Sequence, residues 1–144
     1  MGSYQLREEH ISRTTTMIDQ GVDIEHWKPV QATEKMSDIL NRNMGELSVT
    51  VVCDLAAVSP AMWYKICGDK VRPGQDVLLR LAFVMGMTPK EAQALLKSGH
   101  CPTLTVSRER DVCIIYGLHN RLNLGEMDFI LMERGLDPLV PPAK

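Results

Sequence analysis

Apolar residues recur at helical spacing from residue 36 almost to the end of the chain. Met36, Ile39, Leu40, Met44 and Leu47 fall at i, i+3, i+4, i+8 and i+11. That is one face of a helix, which Thr33 can cap. Ser48 can cap a second short helix carrying Val49, Val51, Val52, Leu55 and Ala56, although the run 49–52 is strand-like by propensity. Ser59 and Pro60 supply an N-cap and a first-turn proline for a third, and Gly68 its stop. Pro73-Gly74 leads into a fourth helix. Val77, Leu78, Leu81, Ala82, Val84 and Met85 make it apolar nearly all round, as at the centre of a bundle, and Gly86 ends it.

Thr88-Pro89-Lys90-Glu91 has the spacing of a capping box and opens a fifth helix with Ala92, Leu95 and Leu96. It ends at Ser98-Gly99, and residues 103–106 form an extended connector. Ser107 can cap a sixth helix bearing Val112, Ile114, Ile115 and Leu118. Asn123 and Glu126 form another capping box before a seventh with Met127, Ile130 and Leu131, which Gly135 closes. Pro138 forbids helix beyond it. The fold class is all-α. Residues 1–32 differ, with few apolar positions. They read as an N-terminal arm with one helix over 4–19, pinned to the body by Trp27.

Composition narrows the function classes. A chain of 144 residues can bury one core without disulfides or metals. Aromatics are 5%, so aliphatic residues and the nine Met must fill that core. The formal charge of −2 argues against binding a polyanion by bulk charge and leaves room for a local basic patch. Cys53, Cys67, Cys101 and Cys113 have no C-x-x-C or metal-ligand spacing, which implies reduced thiols in a cytoplasmic protein. No apolar run approaches the ~20 residues that span a bilayer. With no nucleophile–base pair, metal cluster or phosphate loop visible, neither catalysis nor a cofactor is expected.

Five helices fall between residues 34 and 97, and the second and third are joined by the short turn Ala56-Ala57-Val58-Ser59. The phrases V-C-D-L-A-A-V-S, P-A-M-W-Y-K-I, G-D-K-V-R-P and V-L-L-R-L-A-F-V-M-G follow in that order. This resembles the helix-turn-helix domain of the Cro and lambda-repressor superfamily, in its Xre-like form. The stretch from Ser107 to Leu139 is similar to a C-terminal helical hairpin found in regulators of this type from Gram-positive bacteria. The resemblance implies a five-helix domain over 33–99 and a helical extension over 100–144 packed on it. It implies a transcriptional regulator that binds double-stranded DNA as a homodimer, with the third helix in the major groove.

Carried over to this chain, base-facing positions are Ser59, Pro60, Ala61, Tyr64 and Lys65. Phosphate contacts fall to Lys70 and Arg72, with Arg42 and the backbone near Val49 as additions. The hairpin implies a dimer surface from Ile114, Ile115, Leu118, Met127, Phe129, Ile130 and Leu131, most of which suit an intrachain core equally. Trp63 stands where the pattern wants a buried side chain.

The chain departs from the family at the reading face, since Pro60 and Ala61 carry no side-chain hydrogen-bonding group. Residues 48–80 hold four basic side chains (Lys65, Lys70, Arg72, Arg80) against three acidic ones (Asp54, Asp69, Asp76), a thin electrostatic footprint. A second reading follows, a protein-interaction module built on the same scaffold, with the Pro-Ala-Met-Trp face turned to a protein partner.

Overall fold

The computed structural model describes residues 34–141. The expected arm, its helix over 4–19, Trp27 and the Thr33 cap lie outside the described residues. Within that range the chain is all-helical, with no strand. The helices are α1 (Met36–Met44), α2 (Val49–Ala56), α3 (Pro60–Cys67), α4 (Gln75–Val84), α5 (Pro89–Ser98), α6 (Glu109–His119) and α7 (Leu124–Glu133). None is long and apolar enough to cross a membrane.

Short polar side chains set most of the starts. Ser48 Oγ accepts from Val51 N at 3.2 Å, Ser59 Oγ from Met62 N at 3.1 Å, and Thr88 Oγ1 from Glu91 N at 3.2 Å. Asn123 and Glu126 close the full reciprocal box, at 2.8 and 2.9 Å. At α5 only half of the expected box exists. Glu91 turns its carboxylate to Arg42 and Asn43 of α1 instead, tying the first and fifth helices together. Nor does Ser107 cap α6. Its hydroxyl meets that of Thr105, and the buried Asp111 reaches back to Thr105 N at 3.0 Å.

The ends depart further from expectation. Six helices close with paired 6→1 and 5→2 backbone bonds around a left-handed residue. Only Gly86 and Gly135 are glycines there. The others are Ala57, Asp69, His100 and Arg121. Gly68 and Gly99, expected as stops, sit one position early with negative φ. Gly99 is needed for packing, because a Cβ there would lie 2.7 Å from Leu78 Cδ1. A side chain in the left-handed region costs roughly 1 kcal/mol that glycine avoids. Ala57→Gly is therefore expected to stabilise the fold by about 0.5–1 kcal/mol in urea denaturation. A loss of stability would mean that the Ala57 methyl is held by contacts worth more than the strain.

One continuous apolar core runs through all seven helices and on to Leu139. α4 is its axis, and every residue from Leu78 to Phe83 is buried. It packs on α2, α5 and α7, while α1 covers α3 and α5, and α6 pairs with α7. Gly117 lets α6 approach closely, since a Cβ there would lie 2.3 Å from Met127 Sδ and 3.0 Å from the Phe83 ring. Ile114, Ile115, Leu118, Met127, Ile130 and Leu131, named above for a dimer surface, are all buried within this chain, and of that set Phe129 alone is exposed.

Candidate nucleic-acid interface

The β-branched start of α2 folds as helix because Val52, Cys53 and Ala56 bury one stripe in the core. Packing overrides propensity here. At Ala57 the chain turns left-handed, and Val58 N returns to Cys53 O at 3.0 Å. Val58 is itself buried, so the turn is anchored rather than looped out. α3 then leaves at 109° to α2.

α3 is fixed from beneath. Trp63 is 3% exposed and Ile66 fully buried, which places the indole in the core and off any outer surface. The outward side carries the residues named for DNA. Ser59, Pro60 and Ala61 lie at its start, Tyr64 and Lys65 one turn on, and Lys70 and Arg72 in the following loop. All seven are exposed, Tyr64 at 64%. Ala61 and Lys65 share one face at i, i+4 spacing. The Ser59 hydroxyl accepts one bond as the cap of its own helix, which leaves its O–H donor and one acceptor lone pair for another partner.

Charge around α3 differs from the count along the sequence. Arg42 is held by Glu34 and Glu91, which push its guanidinium further up and neutralise it as a phosphate ligand. Arg80 faces inward at 8% exposure, donating Nε to Ala56 O at 2.8 Å and Nη1 to Leu139 O at 3.0 Å. Burial lowers its pKa, against the pull of Asp76 and Asp128. Asp76 is claimed bidentately by Arg110, at 3.0 and 3.1 Å. What remains exposed is Lys65, Lys70 and Arg72 against Asp54 and Asp69. Among the described residues, no carboxylate pairs with those three cations.

Apolar side chains are exposed on the same two helices, and those on α2 the sequence pattern did not single out. Val51 and Leu55 on α2 are 44% and 57% exposed, and Met62 on α3 is 37% exposed. α2 is apolar on two stripes, Val52/Ala56 and Val51/Leu55, each at i, i+4. The pattern alone cannot decide which faces in.

Elsewhere the chemistry is sparse. Among the described residues, no three His, Cys, Asp or Glu side chains converge as metal ligands. The four cysteines form no disulfide. Burial pushes the Cys53, Cys67 and Cys101 thiols up, so thiolate is scarce near neutral pH. No protein-family model, curated protein or solved structure matches the chain.

Proposed function

We propose that the protein is a DNA-binding transcriptional regulator of helix-turn-helix type, with α3 in the major groove. The carrying observation is the α2–α3 unit. Two short helices stand at 109°, joined by a tight left-handed turn, with the second exposed along its outer face. Helix-turn-helix pairs have this angle and turn length. α3 then offers Tyr64 and Lys65 to base edges, and Lys70 and Arg72 to phosphates on its flank.

The blank start of α3 limits specificity. Pro60 and Ala61 contribute shape and methyl contacts, so base discrimination rests on Tyr64 and Lys65. Affinity has three cations per protomer to draw on, so the logarithm of the association constant should fall with that of salt at a slope of about −3 per bound protomer. Fluorescence anisotropy on random duplex DNA tests this. Absence of binding at about 20 mM salt and micromolar protein would sink the reading.

Paired half-sites require two copies. With the hairpin's other apolar candidates buried in its own core, Phe129 and Met132 on α7, 51% and 57% exposed, are the large apolar side chains left to join them. The variant carrying Phe129→Glu and Met132→Glu is expected to be a folded monomer by light scattering, against a wild-type dimer. A dimer that survives both changes would place the interface elsewhere.

A second reading is favoured by Val51, Leu55, Met62 and Tyr64, an unusual number of exposed apolar side chains for two eight-residue helices. A protein partner suits these better than a phosphate backbone does. It predicts no salt-dependent binding to random duplex DNA, and loss of the protein contact in Leu55→Ser.

A further inference from the structure

The segment after α7 is not a loose end. Residues 137–140 are non-helical, and side chains hold their backbone polar groups one by one. Arg110 donates Nε to Asp137 O at 2.9 Å and Nη2 to Pro138 O at 3.3 Å. Asp128, 8% exposed, accepts Leu139 N at 2.7 Å and Val140 N at 3.1 Å. Arg80 donates to Leu139 O at 3.0 Å, and the Leu139 side chain enters the core at 1% exposure.

The two arginines have a second hold each. Arg80 also grips Ala56 O, the last carbonyl of α2 before the turn into α3. Arg110 also grips Asp76, in the first turn of α4 just past the basic loop. The stretch between these anchors, residues 57–75, is the turn, α3 and the Lys70–Arg72 loop. The groups that bind the segment 137–140 are therefore the groups that fix both ends of the candidate reading element.

We propose that residues 137–140 are a strap that sets the placement of α3, with Arg80, Arg110 and Asp128 as positioning residues. Its consequence for DNA rests on the reading of α3 given above, while its structural half does not. With the strap seated, each guanidinium is pinned at two or more acceptors and cannot swing. With Asp128 unable to hold the strap, Arg80 loses its Leu139 acceptor and an adjacent negative charge. Its grip on Ala56 then slackens, and the turn at Ala57, already in a left-handed conformation, is released first.

Asp128→Asn tests this, because the amide presents one acceptor where two N–H groups need two. Peptide-resolved amide hydrogen exchange compares residues 57–75 with α5, which shares the core and packs on α4 but makes no hydrogen bond to Arg80, Arg110 or Asp128. The strap predicts exchange about tenfold faster across 57–75 and within about twofold in 89–98. Equal acceleration in both segments, or none in 57–75, overturns it. A chain ending at Leu136 should reproduce the pattern, and if it fails to fold, Asp128→Asn decides alone.

DNA affinity gives a second readout that a charge effect cannot imitate. Removing a carboxylate should strengthen binding to a polyanion by bulk electrostatics. The strap predicts weakening, by about tenfold, and unchanged or tighter binding overturns that consequence. A wild-type protein that ignores DNA would remove the helix-turn-helix reading, and the exchange result would still decide the strap.

Discussion

Reversing the charge of Lys65 and Arg72 together, Lys65→Glu with Arg72→Glu, is expected to abolish duplex DNA binding. The cations on this face are few. Only Lys65, Lys70 and Arg72 face outward around α3 without an ion-pair partner among the described residues. The double variant leaves Lys70 alone beside Asp54, Asp69 and two new carboxylates. Every phosphate that goes unneutralised also keeps its counterions. Affinity at about 50 mM salt should therefore fall at least about 100-fold, with a flat salt dependence. Both side chains are exposed, so stability should stay within about 0.5 kcal/mol of wild type. Anisotropy titrations beside urea denaturation separate the two effects. Binding that persists with its salt slope intact would remove this face from the interface.

Four helix starts were legible along the chain because capping is a local event, while Ser107 does not cap the helix it announces. Ser48, Ser59, Thr88 and Asn123 each cap the helix they announce. Helix ends were less legible. The closing pattern tolerates Ala57, Asp69, His100 and Arg121 at its left-handed position, so glycine marks the stop only at Gly86 and Gly135 among those six. Long-range polar pairing was not legible at all. Arg80 counts as a basic residue along the sequence, yet it sits in an unbroken buried stretch of α4, where an arginine needs carbonyls or carboxylates to survive. Its acceptors come from residues 24 and 59 positions away. Asp111, buried, and Arg110, half-buried, likewise take partners within the chain at a helix start of mixed charge. No periodicity encodes such partners. The exposure of Ala61, Tyr64 and Lys65 was legible because it follows from the helical phase of Trp63 and Ile66.

By that same phase Trp63 and Tyr64, neighbours on one short helix, should behave as opposites. Trp63 is almost wholly buried, in contact with the core that α1, α2 and α4 share. Trp63→Ala should cost about 3–5 kcal/mol, the transfer loss of an indole plus the cavity it leaves. An eight-residue helix has little intrinsic stability to oppose this, since isolated helices under ~12 residues are marginal in water. α3 is therefore expected to lose its amide protection before the rest of the chain unfolds. Tyr64→Ala should leave stability within about 0.5 kcal/mol and act on recognition alone, lowering the ratio of specific to non-specific DNA affinity while preserving the salt slope. Denaturation curves of the two variants test the core assignment, and competition with random duplex tests the surface one. A Tyr64 variant that destabilises as much as the Trp63 variant would mean that the ring packs on a neighbour and is not presented. A Trp63 variant of wild-type stability would put the indole outside the core, and with it the orientation of α3 on which the reading face depends.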